Sequence, residues 1–143
     1  MVRVTRVFVP GNDSLMASFG LLLLRLWLGG AMLVLHGWDK LSHFSSLAKE
    51  FPDPLHVGHS VSLGLAVFAE VVCSALLLVG LVTRFASAIL VVNMAVAFTL
   101  IHQLVLSGEK SGEMAFIYLA GYVTLLVAGP GRFSADAVFF GKA

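Results

Sequence analysis

The sequence predicts an all-α integral membrane protein: a four-transmembrane-helix bundle with an interfacial helix in the first loop and a short amphipathic C-terminal tail. Three observations predict it. Of 143 residues, 59% are hydrophobic and 12% charged, about half the charged share of a soluble domain. Four apolar windows approach the roughly 20 residues that cross a bilayer as a helix. Residues 85–108 and 114–131 contain no Asp, Glu, Lys or Arg.

Residues 1–14 are expected to form an N-terminal cytoplasmic tail carrying Arg3 and Arg6 and ending in the turn-like Pro10-Gly11-Asn12-Asp13-Ser14. The following apolar run starts late, contains Arg25 and lacks an A-x-A-like site, so it reads as a retained span and not a signal peptide. The transmembrane domain is expected over 15–129, with spans at 15–36, 59–82, 85–106 and 113–128. Within loop 37–58, DKLSHFSSLAKEF places Leu41, Phe44, Leu47, Ala48 and Phe51 at helical spacing, which suits a helix lying at the interface. Only Thr83 and Arg84 separate spans two and three, so these are antiparallel neighbours. Gly129-Pro130-Gly131 stops span four. Residues 130–143 form an interfacial tail, with Ser134 as N-cap and Val138, Phe139 and Phe140 beyond it.

An even number of spans puts both termini on one side. That side carries Arg3, Arg6, Arg84, Arg132 and Lys142; the other carries Lys40, Lys49 and Lys110 with five acids. The positive-inside rule makes the termini cytoplasmic. A net charge of +1 gives no reason to expect nucleic acid as a partner; the bilayer is the expected one. A single cysteine, Cys73, rules out a dithiol–disulfide couple within one chain. No P-loop, no G-x-G-x-x-G after a strand and no nucleophile–base pair stands out.

The chemistry is expected inside the membrane. Arg25 and Glu70 each lie about ten residues into their spans, and each alone costs roughly 2.5–3.5 kcal/mol at a helix centre. Equal depth on adjacent helices predicts an Arg25–Glu70 pair, with Asn93 joining it. Such a pair can simply fix helix register, or it can bind a polar ligand or relay protons. On a regular helical wheel, His36 shares a face with Arg25, and His59 with Glu70. His36, His59, His102 and Glu113 then extend a polar column outward, and Tyr118 offers a hydroxyl. His36, Asp39, His43, His56 and His59 are secondary candidates for a metal, and His59 with His102 for haem. Neither is favoured, since no H-E-x-x-H or Cys/His cluster occurs.

HGWDKL (36–41), Arg25, Glu70 through GLVTR (80–84), Glu113 with Tyr118, and GPGRFSAD (129–136) together resemble the DoxX family across about residues 18–136. The resemblance implies a four-helix bacterial inner-membrane protein. Its relatives include the membrane subunit of a thiosulfate:quinone oxidoreductase and membrane partners in oxidative-stress and thiol-defence complexes. Alanine at 135 departs slightly from the family ending, and the histidine-rich outer loop has no counterpart tied to the family.

Three readings follow. In the first, the chain is a redox membrane subunit binding a quinone or similar lipophilic carrier, lined by Arg25, Glu70, His36, His59, His102 and Glu113, with a partner oxidoreductase exchanging electrons. The second is a non-catalytic anchor for a soluble oxidoreductase. The third is a metal or small-solute permease, which needs a homo-oligomer to make a path.

Overall fold

The computed structural model describes residues 15–141; the N-terminal tail, Arg3, Arg6 and Lys142 lie outside that range. Every regular element among the described residues is helical. Three helices are long and apolar enough to cross a membrane: α1 (Leu15–Ser42), α3 (His59–Val79) and α4 (Thr83–Ile101). The fourth apolar window forms the shorter α5 (Glu113–Ala128). Two short helices, α2 (Phe44–Leu47) and α6 (Ala135–Phe139), lie in the first loop and the tail.

The long helices close a ring in which α1 and α4 each pack on both α3 and α5. Leu63, Leu77, Leu90, Leu125 and Tyr122 are fully buried at its centre, while Trp27, Val34, Leu65, Val92 and Ile117 face outward. A surface this rich in large apolar side chains suits lipid, not water. The apolar positions run all round each helix, as expected of membrane segments.

The ends depart from expectation for local reasons. Span one does not stop at His36. Gly37 does not end the helix: α1 continues through it to Ser42. A Cβ on Gly37 would lie 2.7 Å from the Glu70 carbonyl oxygen, so this glycine is a contact point between α1 and α3. Only the first four residues of the expected loop helix, 39–42, belong to the end of α1, and in the rest of the loop only α2 is helical. Gly37→Ala should overpack a backbone that cannot yield. It is expected to cost about 1–3 kcal/mol, read as a lower melting temperature in detergent.

Span two ends at Val79 because Gly80 turns left-handed at φ 70°. Its amide donates to Leu77 O, and that of Leu81 to Leu76 O, the paired bonds of a Schellman ending. Thr83 and Arg84 belong to α4, and span three ends at Ile101 rather than Leu106. Ser134 caps α6, its Oγ accepting from the Ala137 amide at 3.2 Å.

Each of α1, α3 and α4 contains one π-helical turn: Met32–Gly37, Phe68–Cys73 and Ala97–Ile101. Such turns occur singly and often at functional sites.

Candidate functional site

The three π turns face one cavity of about 530 Å³, whose lining includes Met32 and His36, Phe68 and Glu70, and Ala97 and Ile101 from the respective turns. This volume is within the usual range for small-ligand sites. Its walls are mostly apolar, and its polar groups are His36, Lys40, Glu70, Asn93, His102 and Tyr118, with Ser62 in the wall beneath the first loop.

Glu70 organises the polar end. It is 5% exposed. Lys40 Nζ donates to Oε2 at 2.5 Å, and Asn93 Nδ2 donates to Oε1 at 3.3 Å. One carboxylate thus ties α1 to α3 and α3 to α4. Lys40 extends from the last turns of α1, one turn past His36. The His36 ring stands edge-on to Tyr118, centroids 5.7 Å apart, and Tyr118 stacks on Tyr122 at 5.9 Å. Tyr122 is itself committed, its hydroxyl donating to Leu28 O. The His36 ring nitrogens and the Tyr118 hydroxyl have no protein hydrogen-bond partner among the described residues, although both side chains line the cavity. Polar groups in apolar surroundings ordinarily find a partner, so these two can receive a ligand's polar atoms.

Arg25 is elsewhere, and the expected Arg25–Glu70 pair does not form. The guanidinium, 0% exposed, donates through NH1 to Leu77 O at 3.2 Å and through NH2 to Phe133 O. It lies against Gly80, where any Cβ would collide with it. The Asp136 carboxylate interacts with it electrostatically, while accepting from the amides of Val82 at 2.6 Å and Thr83 at 2.9 Å. Arg25, GLVTR and GPGRFSAD therefore make a structural knot joining α1, the α3–α4 turn and the tail. The expected pairing was displaced by register. Gly37 lies against Glu70 and Arg25 against Gly80, a shift of about ten residues, or roughly 15 Å of helix.

The wheel argument fails for a related reason. A π turn interrupts α1 before His36 and α3 before Glu70, so faces eleven residues apart no longer align as on a regular helix. His59 is exposed, with Nδ1 2.6 Å from Phe51 O, and Glu113 is exposed in the first turn of α5. Neither lines the cavity; His36, Glu70, Asn93, His102 and Tyr118 do. His59 and His102 therefore do not share a site for haem. Asp39 and His43 contact each other at 3.1 Å on the surface. No group of three or more His, Cys, Asp or Glu converges among the described residues, so the secondary metal candidates form no site.

Lys40 and Asp136 are the residues that sequence reasoning missed. An end of span one at His36 puts Lys40 in the loop, whereas α1 runs on to Ser42. Its i+4 spacing from His36 was the available signal.

The DoxX family profile matches residues 20–103, which include every polar group at the cavity's Glu70 end except Tyr118. The chain belongs to the DoxX family. A similar chain, an uncharacterized protein of Haemophilus influenzae, is 32% identical over 120 residues, covering 78% of this chain and 84% of that one. No solved structure matches. Within this DoxX protein the resemblance motifs divide by role. His36 and Lys40 of HGWDKL line the cavity with Glu70, while Arg25, GLVTR and GPGRFSAD build the knot.

The loop over the cavity has its own anchor. Phe51, Pro52, Pro54 and Leu55 line the loop-side end. Asp53 accepts from Ser62 Oγ at 2.6 Å and from the Val57 and Gly58 amides at 3.0 and 2.8 Å. The Ser62 hydroxyl first, and then the two amides, hold its carboxyl below the ordinary value of 3.8. A depressed carboxyl pKa contributes stability that is present above the unfolded value and lost as pH falls through the folded one. The loop should therefore keep its order at neutral and mildly acidic pH and loosen only below about pH 4. Amide exchange at Val57 and Gly58 checks this, and Asp53→Asn should remove the acid dependence.

Proposed function

We propose that this DoxX protein is a four-span subunit of a bacterial inner-membrane redox system, whose cavity binds the ring of a quinone-like lipophilic carrier. The observation that carries the reading is the cavity's polarity. A partly buried Lys40–Glu70–Asn93 cluster and the uncommitted polar atoms of His36 and Tyr118 sit in an otherwise apolar chamber. A few fixed polar groups in an apolar pocket orient a ring with carbonyl oxygens. When bound, the carrier supplies reversible coupled electron and proton exchange. The chain's part is to donate hydrogen bonds from His36 and Tyr118 and to hold the carboxylate beside them. A single cysteine gives the chain no dithiol couple of its own, so in this reading a partner oxidoreductase exchanges the electrons.

In this reading α5 completes the set of spans, both termini are cytoplasmic, and the cavity opens toward the outer half of the bilayer. The exposed Val138, Phe139 and Phe140 lay the tail on the inner interface. The test is extraction of protein purified in mild detergent, with mass-spectrometric analysis for quinones, and thermal-shift titration with a decyl-tailed benzoquinone. Co-purified quinone or a dose-dependent rise in melting temperature is expected. Absence of both would overturn the reading. An anchor without a ligand would then be the better description, and Lys40 and Glu70 would be exchangeable for apolar residues without loss of cellular function.

A further inference from the structure

The cavity differs at its two approaches. At the loop end it is covered by Phe51, Pro52, Pro54 and Leu55, and this cover is fastened at several points. Asp53 holds Val57, Gly58 and Ser62, Phe51 O contacts His59 Nδ1, and Ser60 Oγ donates to Ala48 O at 3.1 Å. Between α3 and α4 the lining is different. Leu65, Phe68 and Val92 line the cavity and are also 54%, 42% and 61% exposed; Ile101 and Met114 share both properties on the neighbouring α4–α5 side, and Leu55 does so in the fastened loop. A side chain that both lines a chamber and faces outward marks its rim. The rim is apolar on both helices. Asn93, beside Val92 in sequence, is turned inward to Glu70. The polarity therefore grades from an apolar lip at the outer surface to a charged pole within.

We infer that the ligand is a single-tailed amphiphile that enters sideways from the bilayer between α3 and α4, and that its aliphatic tail stays in this opening while its ring reaches the Glu70 pole. This deepens the quinone reading and rests on it. The grading selects that occupant. A fully hydrophilic solute has no low-cost path past Leu65, Phe68 and Val92, because its polar groups would be desolvated without compensating hydrogen bonds. A two-chained phospholipid would have to bring a bulky charged headgroup through the same lip. A flat ring on one flexible chain fits both the lip and the pole. The tail is then solvated by lipid and by the rim residues, so chain length beyond the rim is not read.

The test uses equilibrium binding in detergent micelles of a benzoquinone bearing a decyl tail and of the same ring with a methyl group in the tail's place. Val92→Trp and, separately, Leu65→Trp narrow the lip from opposite helices. Both positions face outward, so either variant can report if the other fails to fold. The decyl compound should bind each folded variant at least about tenfold more weakly than wild type. The methyl compound should keep its affinity within about twofold. In parallel, unmodified protein is photolabelled with a decyl benzoquinone carrying a diazirine at the tail's end, and labelled peptides are mapped. Labels are expected on α3 and α4 residues at the rim. Equal decyl binding by wild type and both variants, or labels confined to residues 51–58, would overturn the lateral route while leaving the quinone reading intact. If neither benzoquinone binds wild type, the inference falls together with that reading.

Discussion

Lys40→Met is expected to destabilise the folded protein by about 1–3 kcal/mol, the cost of leaving a buried carboxylate short of a partner, since Glu70 is buried while Lys40 is only partly so. Glu70 would keep only the Asn93 amide at 3.3 Å in surroundings that leave it 5% exposed. The cost comes from the stranded charge and not from lost attraction alone. Combining Lys40→Met with Glu70→Gln removes that charge, and most of the stability should return, since uncharged replacements of buried pairs are often neutral. Thermal unfolding of the wild type, the single variant and the double variant in one detergent measures both steps. If the single variant melted like wild type, the carboxylate would not depend on Lys40, and the polar pole would need another description.

Arg25→Ala should also destabilise, for a different reason. It leaves the carbonyls of Leu77 and Phe133 without the donor that joins α3 to the tail. Hydrogen bonds to a charged group contribute about 1.5–3 kcal/mol each, so a loss of about 3 kcal/mol or more is expected. Arg25→Lys should recover only part of it, because a compact ammonium cannot reproduce the planar fork that reaches two carbonyls. Asp136→Asn should weaken the same region, since its two oxygens hold the Val82 and Thr83 amides that start α4. None of these changes touches the cavity, so ring binding by the folded fraction should be retained. Affinity measured at matched folded fraction separates the knot from the pole.

The helices were legible because burying a backbone in lipid demands long apolar runs, and such runs stand out as windows without charge. The tail was legible too: Ser134 caps α6 as its position before Ala135 suggested. What could not be read was registration between helices. Counting from apparent span ends put Arg25 opposite Glu70. Gly37 lies against Glu70 because small residues set where helices touch, and that contact was invisible from charge alone. Three π turns then rotated the faces that a regular wheel predicts. The cavity kept His36, Glu70, Asn93, His102 and Tyr118, lost Arg25, His59 and Glu113, and gained Lys40. A lysine near a helix end is usually read as pointing to water; here it turns back toward a carboxylate on the next helix. Asp136 stands within GPGRFSAD, but nothing in an amphipathic tail signals that its carboxylate holds the first amides of a distant helix.

One comparison tests most directly whether ligand chemistry belongs to the Glu70 pole and architecture to Arg25. The affinity of the decyl benzoquinone is measured for wild type, for Lys40→Met/Glu70→Gln and for Arg25→Lys, each corrected for its folded fraction. The double variant is expected to bind at least about tenfold more weakly and Arg25→Lys within about twofold of wild type. Loss of binding in Arg25→Lys with full binding in the double variant would contradict that division and move the site to the other end of the bundle.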